Sequence, residues 1–532
     1  MTNTVGLFGA ILVPDWLSNW LTPIWLLGVG TLAGLILLGV LLGLLAAIGW
    51  SPIAPAWFRR QMRELPLAVR EGVLWPVLWI AVGLAFFGVF GALFVRQPGE
   101  MLLGLTRLRV AGQVPLEFQV PPTPRDAEGD VDFRHETAVP INWPTAEIRE
   151  MLLESNEDLS VSPQQYVPPA EGERRTLGAA ERPVFRVSSD EPYRWRRGDF
   201  QSPALPPERL ENLYVANHGA NPATFRITLT VAPAFREVKI IPIMAVCVAA
   251  FFLVYLAIRA VAPRLSAIAL ATYKSEIAQP LFTIVLMLGI FALLVFVFLP
   301  YNTFGEDIKM LKDSSFSLIM VLCLIQAVWA ASVSIAEEVE GRTALTVLSK
   351  PIQRPSFVLG KFLGISWTLA LTYIVLGLVL LILVAYKPIY DARETAKEEA
   401  TWDLCHYEMV MTVPGLVLSF MQTLVLAAVS VAISTRLPLL ANFVLSFSIF
   451  VLGNITPVLV QASQTQWEIV SFFAQLLATV LPNLESFNIQ AAIAADVEVP
   501  PSYLGFAALY CALYCGVALL LALLLFEDRD LA

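Results

Sequence analysis

Apolar residues in this chain fall in long blocks separated by polar stretches. A helix needs roughly 20 apolar residues to cross the hydrocarbon layer of a membrane. Nine blocks approach or exceed that length: 24–49, 73–95, 240–258, 281–299, 317–336, 362–386, 413–433, 440–460 and 504–526. None of these windows contains a charged residue. A tenth block, 467–481, contains Glu468 and Gln475 and stops at Pro482, so it reads as a re-entrant or interfacial helix.

The pattern changes between the second and third blocks, where residues 96–239 are polar over a length that suits a domain. Within it, Phe225, Ile227, Leu229 and Val231 alternate with polar residues, the period of a half-buried strand. The stretches "LYVAN", "LEFQV" and "VFRV" predict further strands, and Pro-rich runs such as "VPPTPR" predict loops. A small β-sandwich with one short helix over residues 147–154 accounts for this region. The predicted fold class is therefore a polytopic α-helical membrane protein of about nine transmembrane helices plus one re-entrant or interfacial helix. An extracytoplasmic β-rich, sandwich-like domain is inserted in it. The organisation is 1–95 (two spans), 96–239 (β-rich domain), 240–261 (third span) and 262–532 (six spans).

Lys and Arg in short loops are retained on the cytoplasmic side. Arg59, Arg60, Arg63 and Arg70 mark one such loop, and Arg259, Arg264 and Lys274 another. Alternation then places the N-terminus outside, residues 96–239 outside and the C-terminus in the cytoplasm. A stretch at 264–280 mixes apolar and polar residues at helical spacing and predicts a helix lying in the interface. In the first span, Gly30 with Gly34 and Gly39 with Gly43 have the spacing that lets helices approach closely.

Composition agrees with a membrane protein: 57% of residues are hydrophobic and only 15% are charged. The formal net charge of −9 argues against a nucleic-acid partner. The five cysteines, Cys247, Cys323, Cys405, Cys511 and Cys515, all lie in or beside the spans, so no disulfide staples the polar domain.

The most informative loop is "IAEEVEGRTALTVLSKPIQRPSFVLGKF", residues 335–362, with three glutamates, two arginines, two lysines and two prolines between two apolar spans. Glu337, Glu338 and Glu340 would favour the start of a short helix, where the helix dipole welcomes negative charge. Pro351 would end it, and a second helix is expected from about Gly360 and Lys361. The run Glu338-x-x-Gly341-x-Thr343, then Leu348-Ser349-Lys350-Pro351, then Arg354 and Gly360-Lys361, resembles the signature of the ABC-2 family of ABC transporter permeases. The resemblance extends from Arg264 to the end of the chain, and departs from the family pattern at Arg342 and in the whole first block.

The resemblance implies that this loop is a coupling helix docking on a separate ATP-binding subunit. The coupling positions would be Glu338, Gly341, Arg342, Thr343, Leu348, Ser349, Pro351, Arg354, Gly360 and Lys361. It also implies a second permease subunit, identical or not, and ATP with Mg held by the partner ATPase rather than by this chain. In keeping with that, the position five before Gly360 is Pro355, so Gly360-Lys361 is no phosphate-binding loop.

Other constellations are weak. "RHETAV" has Val139 where a second zinc-binding histidine would stand. Cys405-His406 with Asp403 and Glu408 lacks paired metal-ligand spacing, and Cys511 and Cys515 share a helix face as small apolar residues often do. No catalytic set and no metal site is expected. Polar groups within spans are costly unless bonded or lining an aqueous path. Gln326, Gln422, Asn442, Asn454, Thr456 and Gln461 are therefore the candidates for a pathway lining.

The expected function is the permease subunit of an ABC-2 type exporter in a bacterial inner membrane, surrounded by lipid. The alternative is a non-transporting membrane assembly or sensor whose outer domain binds a ligand or partner.

Overall fold

The computed structural model describes residues 13–50, 66, 69–70, 72–110, 112–125, 131–166, 183–189, 191–197, 199, 204–206, 209–233, 235–299, 306–336, 353–395, 399–463, 468–489, 492–493 and 497–527. The chain divides into two compact units, one of residues 1–96 with 240–532 and one of residues 97–239.

Among the described residues of the whole chain, nine helices are long and apolar enough to cross a membrane. The helices of the first unit are α1 (Asp15–Trp50), α2 (Leu74–Phe90), α3 (Ile240–Val261), α4 (Pro263–Ala278), α5 (Pro280–Phe298), α6 (Asp307–Ala331), α7 (Arg354–Glu394), α8 (Trp402–Ser434), α9 (Leu439–Ser463), α10 (Glu468–Val480) and α11 (Pro501–Glu527). The apolar windows of α6, α7 and α8 are 67%, 61% and 61% buried inside the protein, against 17% for α1 and α9. These three helices are therefore the core, and the others present apolar side chains such as Phe291, Leu440 and Phe506 outward. In a lipid solvent that exposure carries no hydrophobic penalty.

Several helices run past their apolar windows. α7 has 41 residues and begins at Arg354, about two turns ahead of the start expected near Gly360, because Pro355 fits the first turn of a helix. α6 starts at Asp307 and α8 at Trp402, so Lys312, Lys387 and Glu408 lie inside helices rather than in loops. Hydropathy finds the apolar stretch; it does not find the polar turns that packing adds at each end.

The handover from α6 to α7 defines one end of the helices, called here the elbow end; the opposite one is the far end. At the elbow end α4 is a separate helix, closed by the extended Gln279 before Pro280 starts α5. α4 lies against the start of α7. A Cβ on Gly364 would come 2.6 Å from the Ala269 carbonyl oxygen, and one on Gly360 2.8 Å from Ile268 Cβ, so two glycines one turn apart seat α4.

Glycines also seat α1. Gly30 and Gly34 face Met244 and Val248 of α3 at 2.8 and 2.9 Å from the position a Cβ would take, whereas Gly39 and Gly43 have nothing within 4 Å. The tightest approach joins Gly28 to Gly88 of α2, where a Cβ on Gly88 would meet the Gly28 carbonyl carbon at 2.5 Å. Trp25 closes that contact by donating from Nε1 to the Gly88 carbonyl at 2.9 Å.

The tenth apolar stretch is the 13-residue helix α10, too short to span, followed by a segment that folds back on α9 through Leu484 N donating to the Gly453 carbonyl at 3.2 Å. Three tyrosines of α11 clamp this hairpin. Tyr510 accepts from Asn483 N at 2.8 Å, Tyr503 donates to the Ser486 carbonyl at 2.6 Å and Tyr514 donates to the Val480 carbonyl at 3.0 Å.

The second unit is a β-sandwich. Its strands are β1 (Gly112–Val120), β2 (Thr137–Pro144), β3 (Ile148–Ser155), β4 (Leu159–Ser162), β5 (Phe185–Val187), β6 (Tyr193–Arg196), β7 (Arg209–Asn217) and β8 (Ala223–Val231). They form two antiparallel four-stranded sheets, ordered β1-β8-β3-β6 and β2-β7-β4-β5. Phe225, Ile227, Leu229 and Val231 of β8 fill one apolar core with Leu213 and Val215 of β7 and Phe185 of β5. That core follows from period-two alternation on both inner faces.

One expectation fails here. Residues 147–154 do not form a helix: Thr145–Glu147 is a single 3-10 turn and Ile148–Ser155 is β3, paired with both β8 and β6. "IREMLLE" is rich in helix formers, but Ile148, Met151 and Leu153 reach the core only as a strand whose register shifts between Ile148 and Glu150. Tertiary pairing outweighs a propensity difference of about 1 kcal/mol.

Candidate transport cavity and elbow contacts

Polar side chains of the core helices pair across helix boundaries. Thr372 of α7 donates to Gln326 Oε1 of α6 at 2.9 Å, and Tyr373 Oη lies 2.8 Å from both Ser419 Oγ and Thr423 Oγ1 of α8. Asn442 of α9 donates to Ser332 Oγ at 2.8 Å and to Ser430 Oγ at 3.0 Å, and accepts from Ser446 at 3.0 Å. Such bonds hold helices in register where no water competes.

A cavity of about 320 Å³ opens among α6, α8, α9 and the segment after α10. Its polar lining comes from Asp313, Ser317, Ser419, Gln422, Asn454 and Asn488, and its apolar lining includes Phe316, Met320, Phe450 and Phe487. Gln422 Nε2 donates to Asn454 Oδ1 at 3.2 Å across the α8–α9 boundary. Apolar walls with a few placed polar groups suit a small amphipathic ligand.

The pathway candidates thus separate. Gln422 and Asn454 line this cavity together. Gln326 and Asn442 belong to interhelical bonds, Thr456 donates to its own helix at the Leu452 carbonyl, 2.6 Å away, and Gln461 is exposed.

At the far end, the charges missing from the apolar windows are paired. Lys312 of α6 lies 2.5 Å from Glu408 of α8, with side chains 5% and 12% exposed. Lys387 of α7 meets Asp391 at 2.9 Å, donates to the Val297 carbonyl at 3.2 Å and sits over the Tyr390 ring. A weak signal was available in the one-turn spacing of Lys387 and Asp391. The Lys312–Glu408 pair, 96 residues apart, left none.

Phe133–His135 is a 3-10 turn, with His135 Nδ1 3.2 Å from Asp132. The backbone N–H of Arg134 holds the Asp132 carboxyl below its ordinary value. Cys511 donates to the Met421 carbonyl at 3.5 Å, and Cys405 and His406 are buried residues of α8, the helix that carries Glu408. Among the described residues, no group of three or more His, Cys, Asp or Glu could hold a metal ion.

At the elbow end, Ser332–Ala336 forms a π-turn that closes α6. Glu338, Gly341, Arg342, Thr343, Leu348, Ser349 and Pro351 lie outside the described residues. Arg354 donates to the Glu527 carbonyl at 2.9 Å, and Phe357 stacks on Phe526, tying the start of α7 to the end of α11. Lys361 is buried over the Phe357 ring at 5.4 Å, and Gly360 packs on Ile268.

Residues 292–531 match the family model described as ABC-2 family transporter protein. This part of the chain, somewhat less than half of it, is similar to ABC-2 family transporter proteins. It comprises the end of α5 from residue 292, the core helices α6–α8, and α9 to α11. The match starts inside α5, so α1 to α4 and the β-sandwich lie outside it. A search of curated proteins finds no match.

Proposed function

We propose that the chain is the permease subunit of an exporter driven by a separate ATP-binding subunit. The observation that carries this reading is the build of the region that matches the ABC-2 model: two of its three most buried helices, α6 and α7, are joined by the charged segment 337–352. Both flanks of that segment are packed, through the π-turn on one side and the Arg354 and Phe357 contacts on the other. A segment held at both feet transmits a push to the helices it joins.

In this reading Glu338, Gly341, Arg342 and Thr343, with Leu348, Ser349 and Pro351, contact the ATPase. Arg354, Gly360 and Lys361 pass the movement into α7, α4 and α11. Closure of two ATP-loaded subunits shifts the population of α6 and α7 arrangements and opens a path between two permease subunits. Gln422 and Asn454 line that path. ATP and Mg stay in the partner. The N-terminus and the β-sandwich face outward, and the C-terminus faces the cytoplasm of a bacterial inner membrane.

Affinity purification from the native membrane tests this. Wild type brings down ATPase activity, and Glu338→Arg and Gly341→Trp lose it. A well-folded wild type without any ATPase would overturn the reading. The size of the β-sandwich, residues 97–239, keeps a second reading open, a sensor or assembly component; partner capture on that domain without substrate flux would favour it.

A further inference from the structure

A second cavity, of about 350 Å³, lies at the elbow end between α4, the π-turn and the start of α7. One face of α4 lines it, because residues 268, 271, 272, 275 and 276 recur at helical spacing. Three polar atoms around it, Thr272 Oγ1, Glu276 Oε1 and Ser334 Oγ, have no hydrogen-bond partner, and their residues are only 3%, 5% and 6% exposed. Native proteins rarely leave one such atom unsatisfied, and three on one cavity point to a ligand. Ala271 and Ser275 are exposed at its rim, which leaves a way in on the α4 side.

The charges on the wall answer each other. Lys361 lines the same cavity and supplies the charge opposite to Glu276, so no net charge is left for a ligand to neutralise. What remains to be met is hydrogen bonding: two buried hydroxyls, which donate and accept, and one carboxylate oxygen, which accepts. Ser275 adds a third hydroxyl at the rim. Water serves this wall poorly, since a buried water makes about three hydrogen bonds and the side chains of Ile268, Val333 and Phe357 offer none. The volume suits one small molecule. We infer that this cavity binds a neutral polyhydroxyl ligand of the size of a single sugar ring, its hydroxyls on Thr272, Glu276 and Ser334 and its carbon skeleton on the apolar wall. A sugar hydroxyl also donates and accepts, so it meets each of these groups whichever way their protons point. The ring comes either as the headgroup of a membrane glycolipid or as a soluble sugar. The site stands independently of the transport reading.

The test uses the full chain, purified in a detergent without a sugar headgroup and stripped of lipid. It is titrated by calorimetry with methyl and octyl glycosides of glucose, galactose and mannose, with myo-inositol, and with cyclohexanol, octanol and glucose 6-phosphate as comparators. At least one neutral glycoside or inositol should bind about tenfold or more tighter than every comparator. Cyclohexanol and octanol leave the polar atoms unmet, and the phosphate brings a charge that Glu276 opposes. Binding of octyl glycosides alone assigns the source to the membrane, and binding of methyl glycosides or inositol assigns it to the aqueous side. Ala271→Phe, which fills the cavity from its exposed rim, should abolish binding. Thr272→Val combined with Ser334→Ala should weaken it about tenfold while leaving Glu276 and Lys361 in place. Each variant's melting temperature without ligand serves as the folding control, and Ser275→Ala at the rim gives a milder loss. The assignment is overturned if no probe binds, which means water alone, or if any comparator binds as tightly as the glycosides. Binding unchanged in Ala271→Phe and in the double variant would overturn it as well.

Discussion

Lys312 Nζ and Glu408 Oε2 meet 2.5 Å apart and join the far ends of α6 and α8, both side chains nearly withdrawn from solvent. Removing one partner leaves the other buried and uncompensated, at a cost of about 3–5 kcal/mol. Lys312→Met and Glu408→Leu should each lower the melting temperature in detergent markedly. The double variant Lys312→Met with Glu408→Leu should recover most of the loss, because an apolar pair of similar volume replaces the ion pair. Additive losses in the double variant would show that the two residues act separately.

Asn442 and Asn454 lie on the same helix and serve different ends. Asn442 is bonded to Ser332, Ser430 and Ser446, so Asn442→Leu should reduce stability by about 1–2 kcal/mol, read as lower folded yield. Asn454 lines the 320 Å³ cavity, so Asn454→Leu should leave yield near wild type and change substrate-dependent ATPase stimulation once the partner is reconstituted. Equal effects of the two on yield would remove the distinction.

Close approach makes Gly28 and Gly88 intolerant. Gly88→Leu should destabilise the α1–α2 pair by about 1–3 kcal/mol, since the new side chain meets the Gly28 backbone. Gly39→Leu and Gly43→Leu, with open space around the Cβ position, should be silent by thermal melting.

Glu276 predicts a pH dependence. Its folded-state pKa is raised from 4.5 to about 7, with Lys361 as the charged group facing it. The folded state therefore binds the proton more tightly than the unfolded state, and this contribution is lost as pH rises through about 7. Melting temperature should fall between about pH 4.5 and 7 and level off above, and the Glu276→Gln variant should lack that part of the slope. A wild-type slope identical to that of the variant would contradict the burial argument.

Much of the architecture was legible because lipid imposes a length rule on each span separately. Nine apolar windows became nine helices among the described residues, and the alternation in "TFRITLTV" became β8. Where the local signal was ambiguous, reading failed: "IREMLLE" has the composition of a helix and was decided as a strand by β8 and β6 on either side. Gly30 and Gly34 share their spacing with Gly39 and Gly43, yet only the first pair meets another helix. Spacing states what a face could accept, and the neighbour is supplied by the fold.

The sequence by itself determined how many segments cross, where a polar domain interrupts them and which family the second half resembles, because these depend on run length, period and local motif. Only the tertiary structure decided which polar residues share a space. Gln422 with Asn454, Lys312 with Glu408, and Glu276 with Lys361 are brought together by helices distant in sequence, and the physical reason is that burial and charge pairing are properties of the packed neighbourhood.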